Sequence, residues 1–150
     1  MKKILFVCTA NICRSPMAAA MFNALAEDGA VPFRAESAGT AALEGRPMAE
    51  NSLAALEEAG FYPKPNRARR VSEAMIEEAE LVLAMTPEHV ATLRRLGGEP
   101  PQGIHTLPEY ATGAAGVGIS DPYGLTMSAY RNTLRQLYKY VEHVVDRLEG

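Results

Sequence analysis

The sequence predicts an α/β fold: a single domain with an open, parallel, four-stranded sheet and helices on both of its faces, in a Rossmann-like arrangement. Short apolar runs alternate along the chain with longer segments of helical periodicity. Ser15-Pro16 and Thr86-Pro87 each follow such a run, and a capping residue before proline is typical of a helix start. No repeat or change of composition divides the 150 residues, which favours one sheet.

The first part of the chain supplies two predicted strands and two helices. Ile4–Val7 is a fully apolar run typical of a buried parallel strand, and Ser15 is the expected N-cap of a helix over Pro16–Glu27. Phe33–Ser37 is a weaker strand pattern that leads into a loop of small residues. Apolar spacing then predicts a second helix over Met48–Gly60, ended by its glycine.

The alternation continues in the middle of the chain. The segment "YPKPNRARRVSE" is rich in proline and basic residues and is expected to be a loop, in which Ser72 caps a short helix over Glu73–Glu78. Ala79–Met85 predicts the third strand. The next helix is expected to begin at Pro87.

The last part of the chain contains the fourth predicted strand and a long loop. Gly103–Leu107 predicts the strand, and Met127–Leu148 predicts a long amphipathic helix. Between them, residues 108–126 are rich in glycine and proline and are expected to form one loop. Loops of that length in compact domains are usually functional, so this segment is a candidate part of a site.

Composition excludes several classes of function. A formal charge of −3 and a pI near 5.6 argue against general nucleic-acid binding, which needs a basic surface. No run approaches the ~20 apolar residues of a membrane span, or the core of a signal peptide. The sequence therefore predicts a cytoplasmic protein that binds neither nucleic acid nor membranes.

Cysteine usage argues against a structural metal or a disulfide framework. The only two cysteines are Cys8 and Cys13, at a spacing that no common zinc site uses, and the three histidines do not cluster. We expect no metal and no cofactor. A reactive thiol remains the open interpretation.

The segment after the first strand has the properties of an anion site. Cys8 lies at the strand's carboxyl end, where open parallel sheets bind ligands. A loop that leads into a helix start directs backbone N–H groups at an anion, and the field favours a thiolate over a thiol. Arg14 can grip two oxygens of a phosphoryl group. The loop residues expected to form this phosphate cradle are Thr9, Ala10, Asn11, Ile12 and Cys13.

Three further residues are predicted to support a nucleophilic Cys8. Asn11 tolerates the positive φ at which the loop must curl, and Ser15 can both cap the helix and donate to the Cys8 sulfur. Asp121, in the late glycine-rich loop, is the candidate general acid, because a carboxylic acid there can protonate a departing oxygen or nitrogen.

The loop "FVCTANICRSPMA", together with the later "DPYG", resembles the low-molecular-weight protein phosphatase family. That family has the loop pattern V-C-x-G-N-x-C-R-S-P and a general acid in a late D-P motif. The resemblance extends to "SAGT", "ELVLAMT" and "LPEYATG", and so covers essentially the whole chain. It implies one low-molecular-weight phosphatase domain over residues 1–150, acting on a phosphorylated protein and binding inorganic phosphate or another oxyanion in its site.

The resemblance also implies roles for individual residues. Cys8 corresponds to the nucleophile, Arg14 to the phosphate clamp and Asp121 to the general acid. Ser37 is expected to brace the loop through Asn11. Cys13 matches a second loop cysteine that can trap an oxidised Cys8 as a disulfide.

The chain departs from the family pattern at three positions. Ala10 stands where the family usually has glycine, so we expect a negative φ there or strain. Asn66 stands where several relatives have a histidine that supports the loop. Gly124 replaces the second aromatic residue that follows the D-P motif in many tyrosine-specific members.

The expected reaction is hydrolysis of phosphotyrosine in proteins through a cysteinyl-phosphate intermediate. Ile12, expected at the rim of the site, with Tyr123 and Leu43 would form apolar pocket walls. A protein-arginine phosphatase is the alternative, although that branch usually carries threonine where this chain has Ile12. Arsenate reduction, a phosphocarrier and a non-enzymatic phosphate-binding module are weaker alternatives, because the chain has no further cysteine and carries both Arg14 and Asp121.

Overall fold

The computed structural model describes residues 1–149. Four strands form one sheet in which all neighbours are parallel, in the order β2-β1-β3-β4. The strands are β1 (Lys2–Cys8), β2 (Phe33–Gly39), β3 (Leu81–Ala84) and β4 (Ile104–Thr106). The predicted four-stranded parallel sheet is confirmed.

The helices cover both faces of the sheet, as predicted. They are α1 (Arg14–Asp28), α2 (Glu50–Glu58), α3 (Glu73–Glu78), α4 (Pro87–Leu96), α5 (Leu107–Thr112) and α6 (Met127–Glu149). None of these helices has an apolar stretch long enough to cross a membrane, in the part of the chain that the structure describes.

Alternating side chains of β1 divide the core between the two faces. Ile4 and Phe6 pack in the larger cluster, with side chains of α1, α2, α5 and α6, whereas Leu5 and Val7 pack in the smaller cluster, with α3 and α4. The rings of Phe6 and Phe22 lie with their centroids 6.0 Å apart and join β1 to α1. Helices on both faces of the sheet thus pack against β1, the strand whose last residue is Cys8.

The strand order places Cys8 at a binding cleft. The chain crosses from β1 to β2 on one side and then to β3 on the other side of β1. Where the direction of crossing reverses, the loops beyond the carboxyl ends of the strands separate and leave a crevice. The loop after β1 and the segment after β4 both open at this end of the sheet.

The prediction of one loop over residues 108–126 was wrong for its first residues, which belong to helix α5. The Thr106 hydroxyl oxygen accepts a hydrogen bond from the Glu109 N–H at 3.2 Å, and Gly113 ends the helix with a φ of 79°. Thr106-Leu-Pro-Glu109 has the spacing of a capping box with proline in the first turn. The prediction of a loop did not take this helix-start pattern into account.

The expected N-cap of the first helix, Ser15, was wrong. Helix α1 begins at Arg14, and its N-cap, Cys13, makes no side-chain capping bond. The Ser15 side chain lies inside the first turn and faces Cys8, so it does not cap the helix. The predicted caps of α3 and α4 are confirmed, since the hydroxyl oxygens of Ser72 and Thr86 each accept a backbone N–H three residues on.

Candidate active site

The loop over residues 9–13 turns sharply beyond the end of β1. Asn11 has a φ of 59°, in the left-handed region that asparagine tolerates, whereas Ala10 is not at positive φ, as expected. Gly39, at the end of β2, approaches this loop so closely that a Cβ there would lie 2.4 Å from the Thr9 carbonyl oxygen. The end of β2 therefore supports the loop from one side.

The backbone of this loop uses its acceptors and leaves its donors free. The Thr9 carbonyl oxygen accepts from the Ala41 N–H, and the Ile12 carbonyl oxygen accepts from the Ala49 N–H, both at 2.9 Å. Within residues 1–149, no hydrogen bond engages the N–H groups of residues 10–13. Free N–H groups beside a helix N-terminus form a cradle for an anion.

The Asn11 side chain ties the loop to three neighbouring segments. Its amide nitrogen donates to the hydroxyl oxygens of Ser15, at 2.8 Å, and Ser37, at 2.9 Å. Its amide oxygen accepts from the Arg69 N–H at 3.0 Å. The Asn66 amide donates to the Asn11 carbonyl oxygen at 3.5 Å. Ser37 thus contacts the loop through Asn11, as the family resemblance implied.

Cys8 is buried, with a relative exposure of 2%, and its sulfur lies 2.9 Å from the Ser15 hydroxyl oxygen. Because that oxygen accepts from the Asn11 amide, its own proton is free to be donated. The Cys8 sulfur is the nearer of two acceptors, the other being the Ala38 carbonyl oxygen at 3.4 Å. The expected Ser15–Cys8 contact is therefore present.

Arg14 is almost fully buried and connects the loop with the segment that carries Asp121. One terminal guanidinium nitrogen donates to the Ile119 carbonyl oxygen at 2.8 Å, and the other lies 3.7 Å from a carboxylate oxygen of Asp121. The Arg14 Nε is buried and has no hydrogen-bond partner among the described residues. A buried donor without a partner is costly, so a ligand oxygen would satisfy it.

Cys8, Arg14 and Asp121 line one cavity of about 80 Å³. The complete lining consists of Cys8, Thr9, Ala10, Ile12, Cys13, Arg14, Arg46, Asp121 and Tyr123. Asp121 is half-exposed at the entrance, and its carboxylate accepts the Tyr123 N–H at 3.0 Å. The structure thus brings together the three residues predicted to act in catalysis.

Two predicted pocket residues are not placed as expected. Leu43 is 65% exposed and is not among the residues, within the described chain, that line the cavity. Ile12 lines the cavity but is only 2% exposed, so it belongs to the inner wall and not to the rim. The Ile12 carbonyl oxygen accepts a hydrogen bond from the Ala49 N–H, so residue 12 lies against the segment that precedes α2.

Cys13 is buried, although it also lines the cavity. Its sulfur lies 3.6 Å from the Tyr130 hydroxyl oxygen, and both cysteines are free thiols. Burial raises the pKa of the Cys13 thiol above its usual value, while the hydrogen bond with Tyr130 opposes that shift. Cys13 therefore stays protonated in the folded protein at neutral pH.

The sequence analysis missed two residues at this site. Arg46 lines the cavity, with its guanidinium carbon 5.9 Å from the centroid of the Tyr123 ring. His89 contacts Thr9, with 2.8 Å between its Nε2 and the threonine hydroxyl oxygen. His89 lies in the first turn after the strand beside β1, a position that could have identified it; nothing in the sequence distinguished Arg46.

Among the described residues, the side chains of this site are not arranged as a metal centre. Residues 1–149 contain no group of three or more histidine, cysteine, aspartate or glutamate side chains arranged to hold a metal ion. The chemistry of the cavity is that of a buried thiol, a guanidinium, a carboxylate and free backbone donors.

This chain is similar to known proteins in both sequence and fold. A family model described as low molecular weight phosphotyrosine protein phosphatase matches residues 3–150. A protein-arginine-phosphatase from Bacillus subtilis (strain 168) is 33% identical, over 97% of this chain and 96% of that protein. The structure of a low molecular weight protein tyrosine phosphatase from T. tengcongensis is 34% identical, with a TM-score of 0.91 over 98% of this chain and 99% of its own.

A second solved structure bears directly on the cysteine. It is the YwlE arginine phosphatase, described as a cysteine-to-serine mutant with a phosphorylated active-site serine. It is 30% identical to this chain, with a TM-score of 0.90 over 99% of this chain and 96% of its own. Tyrosine-directed and arginine-directed phosphatases are thus both similar to this chain over nearly its full length.

Proposed function

The chain belongs to the low molecular weight phosphotyrosine protein phosphatase family and is a cysteine-dependent protein phosphatase, and we propose that its substrate residue is phosphotyrosine. The observation that carries this proposal is the cavity wall, where Ile12 and Tyr123 lie beside Cys8 and Arg14. An aliphatic side chain and an aromatic ring offer apolar contact to a phenyl ring. Arg46, on the same wall, can lie over the face of that ring.

Cys8 is the proposed nucleophile. Its sulfur attacks the phosphorus in line, an S–P bond forms, and the bond from phosphorus to the phenolic oxygen breaks while Asp121 gives that oxygen a proton. In the second step a water oxygen attacks the phosphorus, the Asp121 carboxylate takes the water's proton, and the S–P bond breaks. Inorganic phosphate and the Cys8 thiolate are released. The phosphorylated active-site serine of the related arginine phosphatase supports this assignment.

Arg14 is the proposed clamp on the phosphoryl group. Its bond to Ile119 fixes one terminal nitrogen, which leaves Nε and the other terminal nitrogen to donate to two phosphoryl oxygens. The free N–H groups of residues 10–13 can donate to the same oxygens. These donors stabilise the charge that develops during transfer, and they also bind inorganic phosphate, the product.

Phosphoarginine is the second candidate, because the arginine phosphatase of Bacillus subtilis matches this chain at 33% identity over 97% of its length. The cavity wall supports it less well. Ile12 offers no acceptor to the N–H groups of a phosphorylated guanidinium, and the nearby charge of Arg46 repels a cation.

The test compares phosphotyrosine and phosphoarginine peptides of the same flanking sequence. We expect the wild type to prefer phosphotyrosine, and Ile12→Thr to shift the ratio of kcat/KM towards phosphoarginine by about one to two powers of ten, or ~1.4–3 kcal/mol. Ile12→Val is the matched control, because valine has the shape of threonine without its hydroxyl. A wild type that prefers phosphoarginine, with a ratio that Ile12→Thr leaves unmoved, would replace phosphotyrosine with phosphoarginine.

We also propose a cytoplasmic location. The reaction needs a free Cys8 thiol, both cysteines are free, and reducing compartments keep thiols in that state. Fractionation of cells that produce the protein tests this, and recovery with the membrane or an exported fraction would contradict it.

A further inference from the structure

His89 lies behind the phosphate-binding loop and joins two threonines. Its Nε2 is 2.8 Å from the Thr9 hydroxyl oxygen, and its Nδ1 is 3.0 Å from the Thr86 hydroxyl oxygen. Thr86 is the N-cap of α4, and its hydroxyl oxygen also accepts the backbone N–H of His89 at 3.2 Å. Thr9 follows Cys8 and lines the cavity. The imidazole thus connects the start of α4 with the catalytic loop.

Backbone hydrogen bonds tie the junction between β3 and α4 to two neighbouring segments. The Met85 N–H donates to the Val7 carbonyl oxygen at 3.0 Å, and the Met85 carbonyl oxygen accepts from the Ile119 N–H at 2.8 Å. Ile119 in turn accepts from Arg14. The same junction therefore holds the phosphate clamp on one side and Thr9 on the other.

The imidazole carries one ring proton at neutral pH. His89 is 7% exposed. Burial, and then the positive charge of Arg14, lower the pKa of His89 to about 4, while Glu88 on its own helix and Asp121 on the late loop oppose that shift. Which ring nitrogen holds the proton decides the direction of both side-chain hydrogen bonds.

The Thr86 hydroxyl favours one direction, because Nδ1 can accept its proton, whereas an Nδ1–H would occupy the second acceptor site of its oxygen and leave that proton without a protein acceptor. Its oxygen already accepts the His89 backbone N–H, and Nδ1 is the one acceptor within residues 1–149 that its proton reaches. When Nδ1 accepts that proton, the ring proton lies on Nε2 and is donated to the Thr9 oxygen. The proton of the Thr9 hydroxyl is then left without a protein acceptor, beside the cavity.

We propose that His89 is a positioning residue that donates to Thr9 and thereby directs the Thr9 hydroxyl proton at an oxygen of the bound phosphoryl group. Thr9 is then a side-chain donor that adds to the backbone N–H groups and Arg14. This inference rests on the proposed function, since it assigns a further donor to the same phosphate site. It concerns the phosphoryl group alone and holds for either substrate residue.

Four variants test this inference, with inhibition by inorganic phosphate and kcat/KM on para-nitrophenyl phosphate as the two measurements. Thr9→Val removes the hydroxyl at nearly constant shape, and Thr9→Ser keeps it. His89→Gln keeps an amide at the position of Nε2, whereas His89→Asn is too short to reach Thr9. Thermal unfolding of each variant shows whether it folds.

We expect Thr9→Val and His89→Asn each to weaken phosphate inhibition by about 10-fold to 100-fold, the effect of one hydrogen bond to a charged group. Thr9→Ser and His89→Gln should stay within about threefold of the wild type. The double variant Thr9→Val with His89→Asn should be no weaker than Thr9→Val alone, because His89 acts through Thr9.

Unchanged phosphate inhibition in Thr9→Val would overturn the inference, as would equal losses in His89→Asn and His89→Gln or additive losses in the double variant. If His89→Asn does not fold, the comparison of Thr9→Val with Thr9→Ser still decides whether Thr9 donates. Inorganic phosphate is the product from any phosphorylated residue. The inference can therefore fail while the wild type still hydrolyses phosphotyrosine, and a wild type without phosphatase activity would instead refute the proposed function.

Discussion

The Cys8 sulfur is the single atom on which the proposed reaction depends. Cys8→Ser should abolish turnover of para-nitrophenyl phosphate, because a hydroxyl does not ionise at neutral pH. Phosphate or vanadate should still bind, since the N–H groups of residues 10–13 and the Arg14 donors remain. Calorimetry measures that binding. Hydrolysis retained by Cys8→Ser would remove Cys8 from its role.

Arg14→Lys should lower both phosphate binding and the rate of hydrolysis, because the single charge of lysine cannot hold two phosphoryl oxygens as a guanidinium does.

Asp121 is the proposed proton donor to the leaving group. Asp121→Asn should slow aryl phosphate hydrolysis by about 10²–10⁴-fold, and least for esters of acidic phenols, which leave without a proton. Rates on phenyl phosphate and para-nitrophenyl phosphate measure this difference. Asp146→Asn, on the exposed face of α6, is the matched control. Equal losses on both esters would mean that Asp121 is only structural.

The family resemblance implies that Cys13 protects the nucleophile from irreversible oxidation, and we propose a test of that role. Mild peroxide converts the Cys8 thiolate to a sulfenic acid, and attack by the Cys13 sulfur forms a disulfide and releases water. Inactivation of the wild type should therefore be reversed by thiol reductants. In Cys13→Ser, less activity should return, because overoxidised Cys8 is not reducible. Equal recovery in the two proteins would assign Cys13 to packing alone.

At the scale of elements, the loop is held by contacts with β2 and with residues 66–70. Asn11→Gly keeps the left-handed backbone but removes all side-chain bonds, whereas Asn11→Ala adds the steric cost of a φ of 59°. Asn11→Ala should therefore lower the free energy of unfolding further than Asn11→Gly, by about 1–2 kcal/mol, as measured in urea. Both should weaken phosphate inhibition. If the two variants are equally stable, the backbone at residue 11 is not strained by a Cβ.

At the scale of the whole molecule, the site lies at the carboxyl end of the sheet, next to both the larger and the smaller hydrophobic cluster. The larger cluster holds α1 and α6 against one face of β1, and the smaller cluster holds α4 against the other. Cys8 belongs to the larger cluster and Arg14 begins α1 on the same side, whereas His89, on α4, reaches Thr9 from the other side. Loss of packing on either face would therefore displace the loop.

His89 also couples folding to pH. Its pKa is about 4 in the folded protein and near 6.5 when unfolded. Between these values the unfolded chain binds a proton that the folded protein does not, so stability is fully present above about pH 6.5 and falls as the pH drops towards 4.

The expected pH effect is a difference between variants. Relative to His89→Gln, the wild type should lose about 1–3 kcal/mol of unfolding free energy from pH 7 to pH 4.5 in urea titrations. His143→Gln, on the exposed surface of α6, should follow the wild type. Parallel pH profiles for the wild type and His89→Gln would show that His89 is not buried as a neutral group.

Much of this protein followed from local sequence pattern. The apolar runs predicted β1 and β3, and the cap and proline at residues 86 and 87 predicted the start of α4. Cys8, Arg14 and Ser15 lie within one loop and helix turn, so their proximity is a consequence of chain connectivity. A local prediction was wrong where one residue type suits two roles. Serine before proline is typical of a helix N-cap, but the Ser15 hydroxyl faces the Cys8 sulfur and does not cap its helix.

Only the tertiary structure decided which distant residues share the cavity. Arg46 lines it and Leu43 does not, although both belong to one loop. Which side chain of a loop faces a cavity depends on the segments that the loop packs against, and the loop's own composition does not reveal it. His89 reaches Thr9 because two adjacent parallel strands end at the same edge of the sheet. The sequence alone determined the fold class and the loop chemistry, since both depend on neighbours along the chain. Packing between segments that are far apart in sequence decided three features: the cavity wall, the contact of His89 with Thr9, and the contact between Arg14 and Asp121.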